Sequence, residues 1–229
     1  MGPREPRARR EVCALVFAGG DPPDASTVPG AAEIDLVIAA DSGLDHARAL
    51  GVRVDLVVGD FDSVDPASLD AAAATGTEVE RHPTAKNATD LELALDAAIA
   101  RHATTIHVVG VHGGRLDHSV ANVLLLASPR YAGARVDAQV GDSHVTVIHD
   151  RADLFGAPGG LCSLLPLGGP ATGVETDGLR YPLRRETLEP GSTRGVSNEF
   201  IDRRASVALA TGVLLAIVPS SVSSSGKDA

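Results

Sequence analysis

The sequence predicts an α/β fold, with an N-terminal, mostly parallel sheet flanked by helices over residues 11–150 and a smaller all-β domain over residues 151–219. Two observations predict it. In the first part, short β-branched runs alternate with alanine-rich stretches that carry helix start and stop signals, which is the pattern of βαβ units. In the second part, short apolar runs are separated by Gly and Pro, and no helical period occurs.

Length and composition fit this prediction. The 229 residues suffice for one large domain or two small ones, and 44% of them are hydrophobic. With 20 Lys and Arg against 30 Asp and Glu, the net charge of -10 opposes binding to nucleic acid or anionic lipid. No apolar run approaches the roughly 18 residues of a membrane span, so we expect no membrane partner. Cys13 and Cys162 are the only cysteines, which fits a reducing, cytoplasmic location.

The strands of the first domain come first in chain order. Most are short runs rich in Val, Ile and Leu, as buried parallel strands are. We expect them to form one sheet, which two further strands after residue 130 extend. The predicted strands are 12–17, 35–39, 55–58, 78–81 and 105–109, followed by 136–140 and 144–148.

Helices are expected between these strands because their ends are marked. A capping box at 42–45 opens the first helix, and Gly51 stops it. Asp65 precedes a proline, which suits the first position of the second helix. A second capping box opens a helix over 89–101, and a last helix runs from Asp117 to about residue 127.

The second domain and the chain ends complete the prediction. We expect strands at 161–165, 179–183, 206–209 and 213–218. Residues 1–10 combine arginines with prolines, and residues 220–229 are rich in serine. Both ends lack an apolar period and are predicted to be disordered.

Polar residues collect at one edge of the predicted parallel sheet. The carboxyl ends of parallel strands lie together, and open α/β sheets bind ligands there. Loops that are distant in sequence therefore converge on one rim. These loops contain the segments 19–21, 41–43, 59–63, 86–90 and 113–118.

Asp60 and Asp62 lie two residues apart, directly after a buried strand. Two carboxylates about 4 Å apart repel by roughly 4 kcal/mol at an effective dielectric constant near 20, so they need a proton or a cation between them. A hard divalent ion, most simply Mg²⁺, is one interpretation. The other is a turn at Asp60 followed by a helix cap at Asp62.

Lys86 and Asp90 flank the start of a predicted helix. A lysine beside free helix N–H groups can bind a phosphate, and Asp90 would lie on the same rim. A solvated lysine and a carboxylate that complements the helix dipole explain the same residues without a ligand.

The segment from Gly113 to His118 has the least ordinary composition of the five. Its two glycines allow a ligand close to the backbone, Arg115 can hold phosphate oxygens, and Asp117 can cap the next helix or reach a metal. His118 and Asn122 lie four apart on one helix face. Without a ligand, the segment is a glycine turn before a capped helix with a core-facing Asn122.

Several segments occur in an order that is specific, although each is weak alone. They are Asp41-Ser42-Gly43, Gly59-Asp60-Phe61-Asp62-Ser63, Lys86-Asn87-Ala88-Thr89-Asp90, Gly113-Gly114-Arg115-Leu116-Asp117-His118 with Asn122, and the late segments 178–183 and 195–199. In this order they resemble the thiamine pyrophosphokinase family. Ser42 is a departure, because relatives often carry glycine there.

The resemblance implies a Rossmann-like N-terminal domain that binds the nucleotide and carries the catalytic residues, and a C-terminal β-sandwich that binds thiamine. It implies transfer of the pyrophosphoryl group of ATP to the thiamine hydroxyl, giving thiamine diphosphate and AMP, with Mg²⁺ as the cofactor. It also implies a homodimer whose active sites lie between the subunits.

The resemblance further assigns residues by position. The metal and triphosphate positions are Asp60, Asp62 and Asp90, and the further catalytic positions are Asp117 and Arg115. The nucleotide positions are Asp41, Ser42, Lys86, Thr89, Arg115, His118 and Asn122. The thiamine positions are Ser197, Asn198 and Phe200. Phe200 is the candidate for stacking on thiamine, and a core phenylalanine is the alternative.

Two other functions stay open. A diphosphokinase for another alcohol, such as a pterin, would keep the ATP and Mg²⁺ machinery. A non-catalytic sensor of nucleotide or thiamine diphosphate is expected to lack one of Asp60, Asp62 and Asp90, and all three are present.

Overall fold

The computed structural model describes residues 11–85 and 87–220, which form two connected sheets with helices around the first. Lys86 and the predicted disordered ends lie outside the described residues, apart from Ser220, whose N–H donates to the Asp142 carbonyl at 2.9 Å. The predicted fold class is confirmed. The strands of the first sheet's parallel part are β1 Cys13–Phe17, β2 Leu36–Ala40, β3 Leu56–Gly59, β4 Glu78–Arg81, β5 Thr105–Val109 and β6 Arg135–Val140.

Six parallel strands lie in the order β6, β5, β1, β2, β3, β4. Since β1 is central, with β2 to one side and β5 to the other, the strand order reverses between β1 and β5. Open α/β sheets bind their ligands at the carboxyl end of such a reversal. This geometry places the predicted loops on one rim.

The sheet does not end with the first domain. An antiparallel strand, β7 Ser143–Ile148, pairs with β6 and then with a strand from the end of the chain. Antiparallel pairing continues outward through β14 Leu214–Pro219, β9 Leu161–Pro166 and β12 Asn198–Glu199, so one sheet runs through both predicted domains. The remaining strands are β8 Arg151–Phe155, β10 Ala171–Asp177, β11 Arg184–Leu188 and β13 Arg204–Ala208.

The α-helices are α1 Gly43–Ala49, α2 Pro66–Ala74, α3 Asp90–Ala100 and α4 Leu116–Leu126. The caps of α2 and α3 are confirmed. Asp65 accepts from the Ala67 N–H at 3.2 Å, and Thr89 accepts from the Glu92 N–H at 3.2 Å. Such caps satisfy N–H groups that the helix leaves unpaired.

Two predicted helix starts differ from the structure. The capping box at 42–45 does not form, because Ser42 has helical backbone angles and its side chain makes no capping hydrogen bond. Asp117 is not the cap of α4, since the helix begins one residue earlier and Arg115 stands at the cap position. Asp117 lies in the first turn, where its charge complements the helix dipole.

The second sheet pairs β11, β10, β13 and β8 in that order. The predicted strands at 161–165, 206–209 and 213–218 correspond to β9, β13 and β14. The predicted strand at 179–183 is wrong. Leu179 and Leu183 are buried, but Tyr181 between them is 52% exposed, Gly178 has φ +79° and a proline interrupts the run. Leu179 forms only an isolated antiparallel bridge with Phe200, and regular pairing begins at β11.

Three apolar clusters hold this arrangement together. One lies between the parallel strands and α3 with α4, and a second lies on the opposite face beneath α1 and α2. The third fills the space between the second sheet and β9 with β14. Within the described residues, no helix is both long and apolar enough to cross a membrane.

Candidate active site

A cavity of about 720 Å³ opens at the carboxyl ends of the parallel strands. We call it the rim cavity. Every one of the five predicted loops contributes to it, so the convergence inferred from the sequence is observed. Its polar and glycine lining consists of Gly19, Gly20, Asp41, Ser42, Asp60, Asp62, Ser63, Thr84, Thr89, Asp90, Gly113, Arg115, His118 and Asn122.

Three carboxylates converge inside the rim cavity. Asp41, Asp60 and Asp62 each offer an oxygen within 4.8 Å of the others. We call these residues the acidic cluster. Phe61, between the last two, has φ +64°, and the Asp62 N–H donates to Asp60 Oδ1 at 3.2 Å. The left-handed conformation of Phe61 bends the chain, so the two carboxylates come closer than the roughly 7 Å that separates residues i and i+2 of an extended strand.

Asp41 is the buried member of the acidic cluster, with 9% of its surface exposed. Its Oδ2 accepts a hydrogen bond from Ser63 Oγ, whereas its buried Oδ1 has no hydrogen-bond partner among the described residues. Burial raises the pKa of Asp41; the Ser63 hydrogen bond opposes the rise and the charge of Asp90 adds to it. A buried carboxylate oxygen without a donor fits a position beside a cation.

Asp90 begins α3 beside this group. Gly59, the last residue of β3, separates it from Asp41: a Cβ built on Gly59 would lie 3.2 Å from Asp90 Oδ1 and 3.3 Å from Asp41 Cβ. Gly59 also has φ +154°, which disfavours other residues. Gly59 therefore leaves the space in which Asp90 and the three carboxylates of the acidic cluster lie close together at the end of β3.

The loop after β1 closes onto the loop after β5 and forms one wall of the rim cavity. The Gly20 N–H donates to the Gly110 carbonyl at 2.9 Å, and a Cβ on Gly20 would lie 2.3 Å from the His112 carbonyl oxygen. Nearby, Ser42 Oγ lies 3.5 Å from the Gly19 carbonyl oxygen. A Cβ on Gly19 would lie only 2.5 Å from Ser42 Oγ, so the Ser42 side chain fits because residue 19 is a glycine.

Arg115 and Asp117 form an ion pair with each other at the start of α4. Arg115 donates to the Asp117 carboxylate from Nη2 at 2.6 Å and from Nε at 3.2 Å, and both side chains are exposed. The Arg115 hydrogen bond lowers the pKa of Asp117 to about 2. Arg115 lines the rim cavity and Asp117 does not. Of these two predicted catalytic residues, the structure thus brings only Arg115 to the cavity.

His118 and Asn122 line the rim cavity from the same face of α4. The Asn122 amide donates to the Val111 carbonyl at 3.1 Å, which fixes it against the loop after β5. The Asn122 amide group thus has a structural hydrogen bond, as expected for a core-facing residue. Its side chain nevertheless lines the rim cavity, where contact with the nucleotide is predicted.

The predicted thiamine residues lie elsewhere in the chain. Asn198 is buried and exchanges hydrogen bonds with the Tyr181 backbone at 2.8 and 2.9 Å. Phe200 is 2% exposed in the apolar cluster between the second sheet and β9, so its ring is a core residue and is not available for stacking. Ser197 is exposed. These three residues are not part of the rim cavity of a single chain.

Sequence reasoning assigned Asp41 to the nucleotide and missed its convergence with Asp60 and Asp62. The signal was present, because Asp41 follows β2 and the pair Asp60 and Asp62 follows β3. These strands are neighbours in the sheet, with Ala40 beside Val58. The side-chain direction depends on the backbone of Asp41, whose φ of +47° no local pattern predicts.

Comparison with known proteins agrees with this arrangement. Residues 31–137 match the family model described as thiamin pyrophosphokinase, catalytic domain, and residues 146–214 match the thiamin pyrophosphokinase, vitamin B1 binding domain. The chain belongs to the thiamine pyrophosphokinase family. The first match contains most of the rim cavity, and the second contains the second sheet.

Individual thiamine pyrophosphokinases show the same relation. The chain is 27% identical to the thiamine pyrophosphokinase of Bacillus subtilis, over 81% of this chain and 87% of that protein. The crystal structure from B. subtilis superposes with a TM-score of 0.79 at 26% identity, covering 93% of this chain and all of that one. The enzyme structure from Geobacillus thermodenitrificans gives 0.77 at 27% identity, covering 93% and 99%.

Proposed function

We propose that the chain transfers the pyrophosphoryl group of ATP to the hydroxyl of thiamine, giving thiamine diphosphate and AMP, and that the reaction takes place in the rim cavity. The observation that carries the placement is the acidic cluster at the end of the parallel sheet, where Asp41, Asp60 and Asp62 converge. Thiamine pyrophosphokinases use ATP and generally need a divalent metal, and such a cluster suits a hard cation with oxygen ligands.

The residues present fit Mg²⁺. Three carboxylates supply oxygen ligands, and the buried Asp41 Oδ1, which lacks a donor among the described residues, is an open position for a cation. We propose that Asp41, Asp60 and Asp62 hold the ion, with Asp90 next to them. Bound Mg²⁺ neutralises charge on the phosphate oxygens and thereby lowers the barrier to attack at phosphorus.

Other residues of the rim cavity bind and orient the substrates in this proposal. Arg115 can hold phosphate oxygens in a bidentate contact. The N–H groups at the start of α3 face the same cavity and favour an anion, and Thr89 fixes the start of that helix. Lys86 keeps its predicted role at the phosphates, although it lies outside the described residues. We propose that Asp90 accepts the proton of the thiamine hydroxyl, because Asp90 lines the rim cavity, whereas Asp117 is paired with Arg115 and does not line it.

We further propose a homodimer that completes the active site, with residues 11–150 binding the nucleotide and residues 151–219 binding thiamine. The predicted thiamine residues Ser197 and Asn198 lie outside the rim cavity of their own chain, which a site between two subunits would explain. One face of α4 supports association, because Leu116, Val120 and Leu124 are exposed by 79%, 50% and 53%. Apolar faces of this kind mark protein interfaces.

A cytoplasmic location remains part of the proposal. It rests on the two cysteines, of which Cys162 is buried and Cys13 half-buried, and both are free. Thiols that stay unpaired suit a reducing compartment.

The test is AMP release from ATP and Mg²⁺ with thiamine, with a pterin alcohol or with no acceptor, with the product identified by mass. We expect AMP and thiamine diphosphate in equal amounts with thiamine, and background AMP in the other two reactions. AMP that depends on the pterin alcohol would point to the other diphosphokinase. Tight ATP binding without turnover would point to a sensor.

A further inference from the structure

The turn that aims Asp60 and Asp62 is held by an arginine outside the segments that the family resemblance rests on. Arg81 is the last residue of β4, and the pairing of β3 with β4 sets it directly beside Gly59. The His82 N–H donates to the Gly59 carbonyl at 2.9 Å and extends this pairing by one step. The sheet register therefore fixes Arg81 next to the residue that precedes the turn.

Two contacts connect Arg81 to the turn. Its Nη1 donates to the Asp60 carbonyl at 3.1 Å, and its guanidinium carbon lies 4.8 Å from the centroid of the Phe61 ring. Phe61 packs against the apolar cluster beneath α1 and α2. The ring is thus held between that cluster and a cation, and both the peptide group before Phe61 and its side chain are restrained.

Such restraint is needed because Phe61 has φ +64°. A bulky residue in the left-handed region is strained and persists only when its surroundings impose the conformation. If the turn relaxes to an extended chain, Asp60 and Asp62 lie on one face but about 7 Å apart along the strand, so the two carboxylates no longer converge with that of Asp41. A cation site that is formed for only part of the time binds more weakly in proportion to that fraction.

We infer that Arg81 is a positioning residue: through Phe61 and the Asp60 carbonyl, it holds the turn in the conformation in which the acidic cluster binds a divalent cation. This inference rests on the proposed function of that cluster. Arg81 itself touches backbone and ring, and the metal ligands are the neighbouring carboxylates.

The positive charge of Arg81 and its positioning role predict opposite changes in cation affinity when Arg81 is replaced. Arg81 is a cation next to a cation site, so removing its charge should tighten the binding of a divalent ion if electrostatics decide. Loss of positioning should weaken it. The sign of the change in affinity therefore separates the two effects.

The experiment measures Mn²⁺ binding to the full chain by electron paramagnetic resonance, without ATP or thiamine. We expect Arg81→Gln to weaken binding about tenfold, and Arg81→Lys, which keeps a cation near the ring and a donor for the carbonyl, to recover most of the loss. Arg101→Gln is the matched control. Arg101 pairs with Glu78 at 2.8 Å at the other end of the same edge strand, so its loss should leave Mn²⁺ affinity at the wild-type value.

Unchanged or tighter Mn²⁺ binding by Arg81→Gln would overturn the inference, and so would a wild-type chain that binds no Mn²⁺. Phe61→Leu provides a second approach if Arg81→Gln does not fold: weaker binding supports the role of the ring contact, and wild-type binding contradicts it. In the AMP assay, Arg81→Gln should raise the Mg²⁺ concentration for half-maximal turnover and approach wild-type turnover at high Mg²⁺. If thiamine diphosphate is not formed but the Mn²⁺ results hold, the proposed function fails and the positioning role stands.

Discussion

Two buried aspartates of this chain have opposite surroundings. Asp137 on β6 is 1% exposed and accepts from Thr146 Oγ1 at 2.7 Å and from Arg135 Nε at 2.8 Å. Asp41 is nearly as buried, but one of its oxygens has no partner among the described residues. Because buried carboxylates are normally hydrogen-bonded, the protein itself satisfies Asp137, whereas the free oxygen of Asp41 fits the proposed position beside a cation.

Asp137 should make stability depend on pH. Burial alone would raise its pKa, but hydrogen bonds from His144, Thr146 and Arg135 outweigh burial and hold the pKa at about 2, below the ordinary 3.8. Because the folded pKa is the lower one, the stabilisation is complete above pH 4 to 5 and is lost as the pH falls through the folded value. The amount is roughly 2 kcal/mol, from about 1.4 kcal/mol per pKa unit.

The measurement is the free energy of unfolding of wild type and Asp137→Asn by urea at pH 6 and pH 2. We expect the difference between the two proteins to shrink by roughly 2 kcal/mol at the lower pH, because the other carboxyl groups titrate alike in both. Asp70→Asn, at an exposed position of α2, should show no such change. A constant difference for Asp137→Asn would contradict the assigned pKa.

At the scale of elements, runs of apolar residues correctly predicted the strands whose position depends on local sequence. Strands β1, β2, β3 and β5 were found within a residue or two, because buried parallel strands are rich in apolar residues. The exposed edge strand β4 was found as well, although only one of its four residues is apolar. Strand β10 was missed, since Gly173 has φ +62° and the pairing with β11 shifts register, which removes the alternation that a strand pattern needs. The predicted strand at 179–183 failed because its apolar residues are typical of a strand, whereas Gly178 and Pro182 keep the segment irregular and it forms a single isolated bridge.

The candidate site follows the same division. The loops could be placed on one rim from strand order alone, but the directions of individual side chains could not. Asp41 and Phe61 both have positive φ, and Asp117 turned to Arg115 instead of the cavity. Phe200 was ambiguous in sequence because it follows the Ser197 and Asn198 segment, and only the packing of the second sheet shows it to be core.

The exposed face of α4 gives a prediction about association. Leu124 is 53% exposed, and it also lines an apolar groove with Leu167 and Val213. If a second copy covers this face, Leu124→Glu places a charge in each half of the interface and should weaken dimerisation at least about 100-fold. Sedimentation velocity should show a dimer for wild type and a folded monomer for the variant.

Val79→Glu is the matched control, because Val79 is an exposed valine on the edge strand β4, away from α4. It should remain a dimer. A monomeric wild type, or a Leu124→Glu protein that sediments as the wild type does, would reject this face as the interface.

At the scale of the whole molecule, one continuous sheet connects the rim cavity to the second domain, whose segment at 195–199 does not line that cavity. The residues proposed to bind phosphate and metal lie together in one cavity, while Ser197 and Asn198, proposed to bind thiamine, lie on the other domain. The proposed reaction therefore depends on the acidic cluster.

The most direct measurement compares turnover and melting temperature of Asp62→Asn with wild type and with Asp70→Asn. We predict that thiamine-dependent AMP release falls by orders of magnitude in Asp62→Asn, because a ligand to the divalent ion is lost. Its melting temperature should be unchanged or slightly higher, since one of several crowded like charges is removed. Asp70→Asn should match wild type in both. Turnover of Asp62→Asn within twofold of wild type would contradict the account.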